Sequence, residues 1–188
     1  MIEIKILLKK FYMNDTKQVA KDLLGKILVR KIGTQVLSGV ITETEAYKGK
    51  NDPASHASRK KTERNKIMFG EVGVAYVYFT YGMHYCFNVV AKKKNDKAGA
   101  VLIRAIQPQQ GINHMIKNRK TDLISNLTNG PGKLTQAMQI TLRQYNHDLT
   151  KKSSLFIIDS KKPNKIIAKP RVGIKIGVDK LWNFSYKI

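Results

Sequence analysis

Two acidic side chains and one aromatic side chain share a face of a predicted strand, with a spacing that suits hydrolytic chemistry. The segment 41–47 is Ile-Thr-Glu-Thr-Glu-Ala-Tyr. Side chains two positions apart in a strand point to the same side, so Glu43, Glu45 and Tyr47 lie together. A positioned carboxylate can take a proton from an attacking water. The acids therefore predict a chemical role, although a solvated strand face explains the same spacing equally well.

A second cluster is aromatic and carries four of the eight tyrosines, within residues 73–85. Tyr76 and Tyr78 lie on one face of a predicted strand. Tyrosines in strands usually belong to a core or to cross-strand pairs. Tyr81 differs, because it precedes Gly82 and is predicted at an exposed turn. A ring at such a tip can stack on nucleic-acid bases or act as a wedge between them.

The net charge indicates a polyanionic partner. The 188 residues include 35 Lys and Arg against 13 Asp and Glu, a formal net charge of +22. Such an excess repels itself, and nucleic acid is the usual compensating partner. Within a long predicted loop over residues 48–66, the basic run 59–66 is interpreted as a phosphate clamp. A lysine-rich genome would also raise the surface charge, and the run would then be only a solvated loop.

The sequence contains no metal-ligand pattern and no membrane segment. Cys86 is the only cysteine, which excludes an intrachain disulfide and a cysteine-based zinc site. The four histidines are scattered without ligand spacing, at positions 56, 84, 114 and 147. No apolar run approaches the ~18 residues of a membrane span, and no signal-peptide pattern follows the N-terminus. We therefore expect a cytoplasmic protein that needs no metal and no cofactor.

Hydrophobic periodicity predicts one mixed α/β domain over residues 1–188, of the α+β type. Its central sheet is expected to be curved, largely antiparallel and flanked by helices. Helices are predicted from a cap at residues 14–16 to Gly25, over 109–119, and over 131–139 with Pro131 in the first turn. Strands are predicted over 26–30, 35–47, 74–79, 84–91, 101–106, 172–178 and 182–186.

Several longer motifs together resemble one protein family. They are, in chain order, Thr44-Glu45-Ala46-Tyr47, His56, the segment 62–70 (Thr-Glu-Arg-Asn-Lys-Ile-Met-Phe-Gly), Tyr76-Val77-Tyr78, Tyr81-Gly82-Met83, Cys86-Phe87-Asn88, Leu102-Ile103-Arg104-Ala105 and Gly130-Pro131-Gly132-Lys133. On these motifs the chain is similar to the alkyladenine, or 3-methyladenine, DNA glycosylases of the mammalian type, as a bacterial member. The match covers about residues 21–186, nearly the whole chain.

The resemblance implies a catalytic group of three residues. Glu45 matches the family's general base, which activates the attacking water. Arg104 matches a residue that helps hold this water, and Val172 matches the residue whose main-chain carbonyl does the same. A glycosidic bond breaks through an oxocarbenium-like state, so a carboxylate can both deprotonate water and stabilise the developing positive charge.

The resemblance also implies a pocket for a base flipped out of the duplex. Tyr47, His56 and Tyr78 match the residues that sandwich the flipped base, and His56 also matches the group that contacts its edge. Asn88 matches the residue that disfavours the amino group of normal guanine. Tyr81 matches the wedge that fills the gap left in the duplex.

We therefore predict a monofunctional DNA glycosylase, monomeric and without cofactor, whose partner is double-stranded DNA with a damaged purine. Arg64 and Lys133 are predicted to contact DNA. One alternative is a bifunctional glycosylase and lyase that uses Lys133 as a Schiff-base nucleophile. The other is a non-enzymatic, basic nucleic-acid-binding protein.

Three positions depart from the family pattern. Glu63 and Val72 stand where proline is common, and Asn183 replaces an arginine that usually precedes the residue at Phe184.

Overall fold

A curled antiparallel sheet in the shape of half a barrel dominates the computed structural model, which describes residues 5–187. Its strands are β1 (Ile27–Ile32), β2 (Gln35–Lys48), β3 (Ala75–Thr80), β4 (His84–Val90), β5 (Gly99–Gln110), β6 (Leu155–Ile158), β7 (Ile167–Lys169) and β8 (Asn183–Ser185). The helices are α1 (Lys9–Tyr12), α2 (Thr16–Leu23), α3 (Ile112–Arg119) and α4 (Pro131–Ala137). The predicted α+β fold with a curved antiparallel sheet is confirmed.

Strand β2 is the longest strand described and connects the two parts of the sheet. The strand order is β3-β4-β5-β2-β1-β6, and β5 pairs with β2 along most of its length. On its other side, β2 pairs first with β1 and then with β8, which also pairs with β7. The second half of β2 therefore lies between β5 and β8.

Three register shifts interrupt the pairing of β2 with β5, and two of them are bulges that flank Glu43. Glu43 pairs with Ala105, while Thr42 and Arg104 are skipped in the register. A bulge bends the strand locally and changes the direction in which nearby side chains point. Both bulges lie beside Glu43 and Glu45, so they influence the direction in which these acidic side chains point.

The two faces of the sheet have different roles because side chains alternate along each strand. One face is apolar and packs against α2 and α4. It is formed by Ala46, Ala75, Val77, Phe87, Val89, Val101 and Ile103. Helix α2 begins at the predicted cap, where the Asp15 side chain accepts a hydrogen bond from the Lys17 N–H. The opposite face of β2 to β5 is left for polar and aromatic side chains.

Several predicted boundaries are wrong. The segment 172–178 is not a strand but a series of turns and bends, because Gly173 and Gly177 adopt positive φ angles of 75° and 68°. The helix predicted from residue 109 begins only at Ile112, since β5 continues to Gln110. Strands β6 and β7 were not predicted, whereas the strand expected over 182–186 is present as β8.

No described helix is long and apolar enough to cross a membrane. Of the predicted domain 1–188, residues 1–4 and 188 lie outside the part of the chain that the structure describes.

Candidate active site

A pocket of about 330 Å³ opens on the polar face of the sheet. This volume lies within the ~300–1,000 Å³ typical of small-ligand sites. Strands β2 to β5 form its floor, with side chains that alternate with those of the core. Residues at its floor, walls and mouth include Glu45, Tyr47, His56, Tyr76, Tyr78, Tyr81, Asn88, Leu102, Arg104 and Val172. Eight of the ten residues predicted for the site therefore surround this one cavity.

The Glu45 carboxylate is 0% exposed and is held by three hydrogen-bond donors. Its Oε1 atom accepts from the Val172 N–H at 2.7 Å and from Asn183 Nδ2 at 2.9 Å. Its Oε2 atom accepts from the Tyr47 hydroxyl at 2.8 Å. A carboxylate offers about four acceptor positions, so the one that remains, on Oε2, can accept from a water.

Arg104 bridges the two glutamates of β2. Its Nε donates to Glu43 Oε1 at 3.2 Å and lies 3.6 Å from Glu45 Oε1. Arg104 reaches both because it is the extra residue of the bulge in β5. The predicted proximity of Glu45 and Arg104 is thus present, and Glu43 belongs to the same cluster.

Aromatic rings form the wall of the pocket. The Tyr76 and Tyr78 ring centroids are 5.2 Å apart, and the His56 ring lies edge-on to Tyr78 at 4.7 Å. His56 Nδ1 is 3.0 Å from the Tyr76 hydroxyl. Partial burial, with a smaller effect of the Arg64 charge, lowers the pKa of His56, which favours the neutral form of its ring at pH 7.

The Tyr47 and Tyr78 hydroxyls remain protonated at neutral pH. Burial raises the pKa of both well above the ordinary value, and the Glu45 charge adds to the effect at Tyr47. Tyr47 is therefore a hydrogen-bond donor to Glu45, a contact that sequence analysis did not predict for a residue assigned to base stacking.

A fully buried ion pair positions the segment that carries Val172. Arg171 Nη1 and Nη2 donate to the two carboxylate oxygens of Asp52 at 2.7 and 2.6 Å, and both side chains are 0% exposed. Nη1 also donates to the Ala46 carbonyl on β2 at 2.9 Å. The guanidinium carbon lies 4.6 Å from the centroid of the Tyr47 ring. This pair anchors the chain next to the Val172 N–H that contacts Glu45.

Asn88 is buried in the pocket floor, and its Nδ2 donates to the Tyr76 carbonyl at 3.0 Å. This bond ties β4 to β3 and fixes the orientation of the amide. The predicted role of Asn88 in excluding guanine stays a prediction.

Tyr81 occupies the exposed turn predicted for it. It is 81% exposed, the highest fraction among the large apolar side chains described. Its φ is 52° and that of Gly82 is 66°, so two successive residues adopt left-handed conformations. A tyrosine is strained in this region, and such strain is more frequent at functional sites than elsewhere.

The basic run 59–66 lies beside the pocket, in the segment that follows His56. Buried Asn65 donates to the carbonyls of His56 and Lys60 at 2.6 and 2.9 Å. The Arg64 guanidinium lies 5.0 Å from the Tyr78 ring centroid. An open groove lined by Arg59, Lys60, Arg64 and Lys175 adjoins the pocket, with which it shares His56.

Of the ten predicted site residues, only Lys133 lines neither the pocket nor the adjoining groove. It lies in the first turn of α4, and its ammonium donates to the side-chain oxygens of Asn126 and Asn129. The predicted helix start at Pro131 is confirmed.

A basic protein with a buried carboxylate beneath an aromatic pocket has the features of an enzyme that hydrolyses a bond in nucleic acid. A comparison with family models matches residues 10–187 to the methylpurine-DNA glycosylase family. The chain belongs to this family, as the sequence motifs predicted, and the match begins earlier than the predicted residue 21.

Curated relatives agree with this assignment. A protein of Prosthecochloris aestuarii is 49% identical over 93% of this chain and 85% of its own length. Proteins of Carboxydothermus hydrogenoformans and Clostridium novyi are 47% and 45% identical, over 97% and 98% of this chain and 95% and 96% of their own lengths. Each carries the name "Putative 3-methyladenine DNA glycosylase". The family consists of DNA-repair hydrolases, so the alternative of a non-enzymatic binding protein is wrong.

Proposed function

We propose that this protein removes alkylated or deaminated purines from double-stranded DNA, acting as a monomer, by hydrolysing the bond between base and sugar. The observation that carries this proposal is the Glu45 carboxylate at the pocket floor. It is buried, it is held by three donors, and one acceptor position of its Oε2 is free.

In the proposed reaction, Glu45 activates a water for attack on C1′ of the deoxyribose. The water oxygen forms a bond to C1′ and its proton passes to Glu45, while the bond from C1′ to the base nitrogen breaks. The base leaves with the electron pair of that bond. The carboxylate also stabilises the oxocarbenium-like transition state. Such a positioned base contributes about 10²–10⁴-fold to a rate.

The pocket suits an electron-poor purine. Tyr47, Tyr78 and His56 line the pocket with aromatic rings, and a planar base can pack against the faces and edges of these rings. An alkylated purine that carries positive charge is attracted to the faces of tyrosine rings. Neutral His56 adds no opposing charge. The Val172 carbonyl and Arg104 are proposed to hold the water with Glu45.

Access to the base requires flipping, which costs a few kcal/mol and less for a damaged pair. The net charge of +22 and the exposed loop with Arg64 favour binding of the phosphate backbone. Tyr81 stands out from the surface at the mouth of the same pocket. We propose that its ring occupies the place of the flipped nucleotide.

The position of Lys133 favours a monofunctional enzyme. A Schiff-base nucleophile must reach C1′ of the flipped nucleotide, and Lys133 is not among the residues that line the pocket. Its ammonium is engaged by two asparagine side chains instead.

The proposal is tested by incubating the protein with a duplex that contains a single hypoxanthine or alkylated purine. We expect release of the free base and an intact strand, which breaks at the abasic site only after alkali treatment. Borohydride should trap no protein–DNA adduct. Absence of base release from every damaged purine would refute the proposal, and a trapped adduct would identify a bifunctional enzyme.

Replacing Tyr81 with alanine is expected to reduce excision from duplex DNA much more than excision from single-stranded DNA. The ring does no chemistry, so its loss removes stacking of about 1–3 kcal/mol in the flipped complex, or roughly 5- to 150-fold. An unpaired base gains less from returning to the stack. Single-turnover excision on both substrates measures the difference.

The Tyr81→Ala variant keeps a Cβ at the same φ, so the backbone strain is unchanged. Leu8→Ala, which truncates another exposed apolar side chain (66% exposed), serves as the matched control. A large loss of thermal stability with equal loss of activity on both substrates would mean that Tyr81 is a structural residue.

A further inference from the structure

Asn183 connects the two glutamates of the site through one side-chain amide. It lies on β8, directly opposite Glu45 in the strand register, and is fully buried. Its Nδ2 donates to Glu43 Oε1 at 2.7 Å and to Glu45 Oε1 at 2.9 Å. A side-chain amide has two N–H donors, so one can serve each carboxylate.

The charges around this amide explain why a neutral donor suits the position. Two carboxylates that share a site repel each other. Arg104 lies within 3.6 Å of both, and Lys169 Nζ lies 3.7 Å from Glu43 Oε1, so two cations already balance two anions. Asn183 adds two donors without a third positive charge, in place of the arginine that the sequence motifs led us to expect.

We propose that Asn183 is a positioning residue that fixes the Glu45 carboxylate by tying it to Glu43. Glu43 does not line the pocket, but it accepts from both Arg104 and Asn183, so the cluster acts as a unit. With Oε1 of Glu45 fixed, its Oε2 presents the one free acceptor position to the pocket. This inference rests on the proposed role of Glu45 in water activation.

The test uses Asn183→Leu, which is similar in volume and has no donor. We expect single-turnover excision to fall about tenfold or more, the scale of one lost hydrogen bond to a charged group, while the Kd for lesion-containing duplex changes less than about threefold. Glu43→Gln should give a similar loss. Because the residues act as a unit, the double variant should be no slower than the slower single variant.

Ser185→Ala on the same strand is the matched control, since Ser185 pairs with Glu43 through the backbone. Asn183→Leu with wild-type excision, or losses that multiply in the double variant, would overturn the inference. If Asn183→Leu does not fold, Glu43→Gln decides alone, and wild-type excision by it overturns the inference. Absence of excision by the wild-type protein would instead refute the proposed function, and this inference with it.

Discussion

The Glu45→Gln variant is expected to release base at least about 100-fold more slowly than the wild-type protein while it binds lesion-containing DNA at least as tightly. The amide cannot accept a proton from water, and a general base contributes about 10²–10⁴-fold. The substitution also removes a negative charge from a site that must bind a polyanion, which favours binding. Single-turnover excision and a binding titration on the same duplex separate the two effects.

Glutamine keeps the shape of Glu45 but places an amide near donors at 2.7–2.9 Å, so folding is checked by thermal melting. The matched control is Glu71→Gln, because Glu71 is an exposed glutamate that pairs with Lys9 on the surface. This variant should excise at the wild-type rate. Excision by Glu45→Gln within tenfold of the wild-type rate would exclude Glu45 as the general base.

The strands that build the site were predictable because their alternation is regular. Strand β2 was expected over 35–47 and spans Gln35–Lys48, and the shared face of Glu43, Glu45 and Tyr47 follows from the two-residue period. The same period placed Tyr76 and Tyr78 together on β3. These are local properties that a few neighbouring residues determine.

The segment 172–178 shows where this reasoning fails. Its sequence alternates apolar Val172, Ile174, Ile176 and Val178 as a strand would, yet three of these side chains are about half exposed. Two glycines allow positive φ angles that a strand cannot contain. The apolar alternation was misleading because none of the described strands pairs with this segment, and strand pairing depends on the whole fold.

Long-range polar contacts were the other part that sequence analysis missed. Asn183 and Arg171 are more than 100 positions from Glu45 and Asp52, and no local pattern relates them. Asp52 carried one usable signal. It is an acid within a basic loop of a basic protein. The same argument, that acids are unexpected in so basic a chain, drew attention to Glu43 and Glu45.

Removing the buried Asp52 carboxylate is expected to be the most destabilising single substitution near the site. Asp52→Ala leaves the Arg171 guanidinium, 0% exposed, without its counter-ion. Loss of one partner of a buried ion pair costs about 3–5 kcal/mol. For a chain of this length, this is a fall in Tm of about 6–20 °C. The substitution also removes the acceptor of the Lys48 N–H.

Asp22→Ala provides the contrast, because the Lys162–Asp22 pair lies at the surface with a lysine side chain that is 65% exposed. Its removal should cost less than about 1 kcal/mol. Thermal and urea unfolding of both variants measure the difference. Equal, small losses would mean that Arg171 is solvated after all and does not anchor its segment.

The same substitution should affect excision in the molecules that remain folded. Arg171 directly precedes Val172, whose N–H donates to Glu45 Oε1 at 2.7 Å, and its guanidinium packs on the Tyr47 ring that donates to Oε2. Release of Arg171 therefore loosens two of the three donors that hold Glu45. Measured well below its Tm, Asp52→Ala should excise at least about tenfold more slowly, since each donor to a charged group contributes about 1.5–3 kcal/mol. A destabilised variant with a normal excision rate would show that the ion pair supports the fold without positioning Glu45.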